Sequence, residues 1–221
     1  SPAALPFYAL LSVGRMLAAY GLSLVFALAY ARAAAASRRA ERLMLPALDI
    51  LQSVPILSFF PAAVLAATAL FPGSLLGPEL AAVLLIFTSQ AWNLAFSFYG
   101  SLITLPRELQ EAAAVFRLNF YLRFTRLELS FGLIPLILNS VMSWANGWFF
   151  LMAAEQFGMG ARSFRLPGLG AYLRAAADAG DVGALGLGLL TLIAVVVLID
   201  QLLWRPLLNW ADRFRYEQAG G

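Results

Sequence analysis

Apolar and polar positions fall along this chain in long blocks. Five blocks, roughly residues 7–31, 50–71, 80–103, 131–152 and 184–204, are nearly free of charge. An α-helix needs about 20 mostly apolar residues to cross a bilayer, so the pattern predicts an all-α membrane protein with about five transmembrane helices. The longest stretch that cannot sit in a bilayer core is 104–130, which holds Arg107, Glu108, Glu111, Arg117, Arg123, Arg126 and Glu128. It reads as helical. Pro106 stands where a first-turn proline is tolerated, Glu108 and Glu111 fall near the positive N-terminal end, and Arg123 and Arg126 near the negative C-terminal end. Positions 108, 111/112 and 115 share one face, and Ala112 and Ala113 would let a partner's backbone come close. Two readings stay open: a docking helix for another protein, or a charged loop joining two spans.

Within the second block Pro55 and Pro61 predict a kink or break. Ahead of it, 32–49 carries Arg32, Arg38, Arg39 and Arg42 with Glu41 and Asp49, a basic loop running into a short amphipathic piece. Residues 72–79 form a short turn with one acidic charge and no basic one. Residues 153–183 are rich in glycine (158, 160, 168, 170, 180 and 183) and carry Arg162, Arg165, Arg174, Asp178 and Asp181; 169–179 suits a short helix lying at the surface. In the last block Asp200 is placed to pair with Arg205, and the tail adds Asp212, Arg213, Arg215 and Glu217. Residues 1–14 lack a basic n-region, so no cleavable signal peptide is expected. The whole chain, 1–221, reads as one membrane domain.

Composition sharpens this picture. Of 221 residues 62% are hydrophobic and 12% charged, against about a quarter charged in ordinary soluble domains. All the basic charge is arginine; lysine, histidine and cysteine are absent. That excludes thiolate chemistry, a His-based triad, the usual transition-metal cages and a P-loop within this chain. If ATP drives the protein, another chain hydrolyses it. The arginines cluster beside apolar blocks, which indicates membrane orientation rather than nucleic-acid binding. Eleven lie in 32–49, 104–130 and 205–221, and three in 153–183. The positive-inside rule therefore puts the first set in the cytoplasm, with the N-terminus outside and the C-terminus inside.

Polar residues inside the blocks are the candidate functional groups. Ser89, Asn93 and Ser97 recur at i, i+4, i+8 with Gln90 beside them, and Asn139, Ser143 and Asn146 at i, i+4, i+7. Each set makes one polar stripe on an apolar helix. Such stripes face other helices or a water-filled path, not lipid. The functional reading is a solute path lined by Gln52 and both stripes; the alternative is hydrogen bonding between helices. Trp144 and Trp148, with Asn146-Gly147 as a local bend between them, either gate such a path or fill the core. Glu155, just outside the fourth block, is an outer-gate residue or an interfacial carboxylate. Arg15 lies within an apolar run, where an arginine is costly; it either serves function, snorkels outward or pairs with a carboxylate such as Glu155.

Glu111-Ala112-Ala113 after a proline, followed by a short mixed helix and a new apolar block, resembles the EAA loop of type I ABC-importer permeases. The family pattern continues with three residues, Gly, nine residues, an aliphatic residue, one more and Leu-Pro; Leu127 and Leu129 fall in register, while Arg117 replaces the glycine and Ser130 the proline. Because Arg117 takes positive φ less cheaply than glycine, the turn is expected to move to Asn119, which tolerates left-handed backbone better than most residues. With Ser130 in place of proline, Gly132 and Pro135 are expected to supply the nearby break. The run from Arg38 to Pro61, a basic loop leading to Gln-Ser-aliphatic-Pro, is similar to the nitrate/sulfonate/taurine branch. The resemblance implies the five-helix permease fold in a bacterial inner membrane. It implies two permease halves, identical, different or fused, around one path. It also implies a solute-binding protein on the outer face, and ATPase subunits, carrying ATP and Mg, seated on Glu108, Glu111, Ala112 and Ala113. The solute would be small and anionic, and this chain would bind no cofactor. The competing classes are a membrane-embedded enzyme, for which convergent nucleophiles or carboxylates at depth are missing, and an ATP-independent channel or secondary transporter.

Overall fold

The computed structural model describes residues 2–156 and 166–214; Gly158, Gly160, Arg162, Arg165, Arg215 and Glu217 lie outside the described residues. Ten helices are labelled in chain order: α1 (Leu5–Ala35), α2 (Arg38–Ser53), α3 (Ile56–Leu70), α4 (Leu76–Ile103), α5 (Arg107–Val115), α6 (Phe120–Leu122), α7 (Leu129–Gln156), α8 (Leu169–Asp178), α9 (Val182–Ile199) and α10 (Arg205–Ala211). Among the described residues, four helical runs are long and apolar enough to cross a membrane: Leu5–Ala35, Leu76–Ile103, Phe120–Gln156 and Val182–Ala211. The pair α2 and α3 supplies a fifth only if read as one broken span.

The break expected in the second block, 50–71, falls at Pro55, so that this block is not one continuous helix. The two helices meet at 89°. The cause is local: a residue before proline is pushed out of the helical region, and Val54, preceding Pro55, sits at φ −70°, ψ 126°. Pro61 stays inside α3 and Pro46 inside α2, so one proline breaks the chain and two do not. Ser37 caps α2, its hydroxyl accepting the Ala40 N–H at 3.1 Å. Polar contacts hold α2 against the bundle: the Tyr99 hydroxyl donates to Glu41 (2.7 Å) and the Tyr30 hydroxyl to the Met44 carbonyl (2.7 Å).

The centre is α1, α4 and α7. The buried face of α1 runs Ala9, Ser12, Met16, Ala19, Ser23, Ala27, Ala31 and Ala34. Small residues at helical spacing let α4 approach closely, the usual device for packing helices in lipid. Larger side chains fill the space from the other side, Leu94, Phe98, Tyr99 and Leu136 against that alanine face. By contrast α9 buries only Gly188 of its eighteen residues, so its apolar surface faces outward. Two wide π turns, Arg123–Glu128 leading into α7 and Asp200–Trp204 leaving α9, extend those spans. Across the second, Arg205 pairs with Asp200 at 3.0 Å. α7 runs unbroken through Pro135 and Gly147. The break expected at Gly132 and Pro135 does not occur, and Gly147 is where α7 meets the Gln90 and Met16 side chains of the neighbouring helices.

Candidate functional site

The stretch 104–130 forms two helices, not one. α5 has Pro106 as its N-cap residue and Glu108 in its first turn. It ends with the Leu118 N–H donating to the Ala113 carbonyl and the Arg117 N–H to that of Ala114, both at 3.0 Å. This paired closure requires a left-handed residue just past the helix, and that residue is Arg117, at φ 48°. The expected shift of the turn to Asn119 is therefore corrected. Asn119 is extended (φ −67°, ψ 170°) and caps α6, its side chain accepting the Leu122 N–H at 2.9 Å. The helix end is set by carbonyls that must be satisfied two residues earlier, and Asn119 serves as the next helix's cap. The same closure ends α8, where Gly180 (φ 66°) takes the left-handed position. Arg123 and Arg126 consequently sit at the start of the second helical run, not at the end of the first.

On α5, Glu108 and Glu111 are exposed, Ala112 half-buried and Ala113 buried. Neither glutamate has an ion pair among the described residues. Val115, Phe116, Phe120 and Tyr121 continue the loop as exposed apolar side chains. Below them Glu128 is buried between Arg32 of α1 and Arg123, whose Nε donates at 3.0 Å. The Arg32 guanidinium also lies over the Phe120 ring, 4.4 Å from its centroid.

The polar stripes of α4 and α7 meet as a seam. The Asn93 amide donates to Ser143 Oγ (2.8 Å) and the Asn139 carbonyl (3.3 Å), and the Asn139 amide donates to Ser97 Oγ (3.0 Å) and the Pro135 carbonyl (2.9 Å). Ser89 donates within its own helix to Ile86 (2.6 Å). Asn93 and Asn146 remain exposed on the bundle surface. Gln52 is exposed on α2 and bonds Asp49 (3.1 Å) rather than either stripe. Gln90, passed over as a neighbour of the stripe, is wholly buried, and its amide is unpaired among the described residues. Trp144 packs edge-on against Tyr20 (5.8 Å) and Trp204 (5.7 Å), with Trp148 half-buried against the same cluster.

At the opposite end of the bundle Arg15 does pair with Glu155, at 2.7 Å. Glu155, at the end of α7, is almost wholly buried. Arg15 also grips Glu79 with two bonds of 2.6 and 2.5 Å and the Pro167 carbonyl at 2.9 Å. Ser12 donates to Glu155 (2.7 Å) while accepting the Leu169 N–H (3.0 Å), and the Gly170 N–H donates to Glu155 (2.7 Å). One carboxylate and one hydroxyl thereby cap the start of α8, so α8 is docked into the bundle and not simply laid on its surface. Gly168 allows this approach, since a Cβ there would lie 2.3 Å from the Glu155 carboxylate. Sequence reasoning missed Ser12 and Glu79. The signal for Glu79 was available: it is the one charge in the 72–79 turn.

Bundled apolar helices and an exposed helical loop at one end define a multi-pass membrane component. The chain belongs to the family of binding-protein-dependent transport system inner membrane components, which matches residues 19–203. It is thus a transport permease of the type I ABC-importer family, resident in an inner membrane. No curated protein sequence matches the chain.

Proposed function

We propose that this chain is one half of the permease of an ABC importer, most similar to the nitrate/sulfonate/taurine group, and that it passes a small, anionic solute. Two such halves enclose the path, and the exposed asparagines of the α4–α7 seam, Asn93 and Asn146, face it together with Ser89, Asn139 and Gln52; Ser143, expected to line it too, is wholly buried and accepts the Asn93 amide. Amides exposed at mid-span are poorly tolerated against lipid, which supports a path or a second permease half on that face. The arginine-rich end is cytoplasmic. There α5 seats in an ATPase subunit that carries ATP and Mg, while a solute-binding protein meets the end built by Glu79, Glu155 and α8.

The observation that carries this reading is α5 itself: a short helix closed at its C-terminal end, with Glu108 and Glu111 unpaired among the described residues, beside the exposed Val115 and Phe116. A solvated connector has no need of such an apolar strip, whereas a groove in a partner would bury it. Purification of the chain from its native membrane in mild detergent tests the assignment. A nucleotide-hydrolysing subunit is expected to come with it and to be lost on Glu111→Arg. A chain recovered alone, stable and folded, would overturn the assignment in favour of an ATP-independent channel or secondary transporter.

A further inference from the structure

We propose that Glu128 is a positioning residue that makes the end of α1 follow the docking loop, so that motion imposed on α5 enters two spans rather than one. The proposal rests on the assignment of α5 as the ATPase-docking helix.

The chain joins α5 to α7 through a non-helical joint at 116–119, and α5 also touches the π turn directly. Glu128 lies beyond that joint. Its carboxylate is buried and held on two sides, by Arg32 from the last turn of α1 and by Arg123 from the start of the π turn. A buried carboxylate with two arginines resists separation far more than an exposed pair. Arg32 is gripped a second time by the face of Phe120, in cation–π contact. Phe124, in the π turn, packs edge-on against Phe98 of α4 (6.3 Å).

The π turn makes these contacts simultaneous. In an α-helix each residue advances by roughly 100°, and a π turn inserts one residue into that register. Were 123–128 regular α-helix, Phe120 and Arg123 would rotate by about that angle relative to Glu128, and Arg32 would lose one of its two contacts. Arg123 and Glu128 are five residues apart, the spacing of a π turn, and their 3.0 Å bond spans it. Beside the latch an open cavity of about 630 Å³, lined by Ala29, Ala33, Leu102, Leu105 and Gln110, lies against the exposed side of the end of α1, not its buried alanine face. Apolar packing of Phe124 and Leu129 on the core also borders α1 here, but among the described residues the ion cluster and its cation–π contacts are what tie the loop to the α1 side chain Arg32.

Hydrogen exchange on the permease–ATPase complex in detergent, compared between nucleotide-free and ATP–vanadate-trapped states, tests this without knowledge of the solute. In the native protein, amides of 107–118 and of 29–36 are both expected to change on trapping. Glu128→Gln, which keeps shape but removes charge, is expected to abolish the change at 29–36 while preserving that at 107–118. Arg32→Gln is expected to do the same, and the double variant to be no worse than either alone. A persisting response at 29–36 in the Gln variants overturns the proposal, as does a native complex in which 107–118 responds and 29–36 does not. The native comparison stands even if the variants fail to accumulate. Failure of the docking assignment looks different: no response at 107–118, or no ATPase bound at all.

Discussion

Arg15→Met is the sharpest perturbation of the ion network at the α8 end. The side chain removed makes two bonds to Glu79, one to Glu155 and one to the Pro167 carbonyl. Methionine fills most of the apolar stem and leaves two carboxylates without their cation. The two are not equivalent. Glu79 is 32% exposed and can turn to water, whereas the Glu155 side chain is 0% exposed and cannot. Removing one partner of a buried ion pair costs about 3–5 kcal/mol; with one carboxylate free to resolvate, the lower figure applies. About 3 kcal/mol is roughly two orders of magnitude in the folded population. Denaturant titration in detergent, followed by far-UV circular dichroism, reads this directly. The double variant Arg15→Met/Glu155→Gln should recover most of the loss, because the penalty comes from the stranded charge and not from the missing contacts. Wild-type stability in Arg15→Met, or a double variant whose loss equals the sum of the singles, would refute the reasoning.

Three further outcomes are expected. Gly168→Ala drives a methyl into the Glu155 carboxylate and should cost about 1–3 kcal/mol; in a Glu155→Ala background its cost should largely vanish, and equal costs in both would show that the two residues do not meet. Arg117→Gly relieves a left-handed residue at φ 48° and should raise stability by about 1 kcal/mol, so an unchanged or lowered unfolding midpoint would place the end of α5 elsewhere. Asn93→Leu removes the 2.8 Å bond to Ser143 and should cost about 1 kcal/mol, while Asn146→Leu, at an exposed position, should leave stability alone. Solute-driven uptake should fall in both, and unchanged uptake in both would leave the seam as helix packing only.

What the sequence made legible follows from how each signal is encoded. Span positions are read from apolar length, a property of single segments, and four of the five expected spans appear as continuous helices. In the second block the break was legible from its prolines, but its 89° angle was not, and Pro55 turns the chain where Pro46 and Pro61 do not. The closure of α5 was misplaced because residue preference was weighed at Arg117 and Asn119 individually. The helix end is a matter of which carbonyls need donors, and that constraint outweighs the cost of a left-handed arginine. Arg15 and Glu155 were legible as a pair because buried charge demands a partner. That Glu79, Ser12 and the backbone of 167–170 complete the set is a fact of packing between distant segments, invisible to local pattern. Glu128 was visible only as one charge among seven in its stretch; its burial depends on where α1 ends.

The Arg15 network also has a history written into it. A membrane protein is inserted as it is synthesised, first span first. Arg15 is made 64 residues before Glu79 and 140 before Glu155. At about 5–20 residues per second, roughly 3–30 s separate the arrival of this charge from that of its partners. During that interval the Arg15 guanidinium lacks the two carboxylates that neutralise it in the folded bundle, and a lone arginine is costly at depth in a bilayer. The 167–170 backbone, which closes over Glu155 and Arg15, is made later still. The network that fixes this end of the bundle therefore joins segments made at well-separated times.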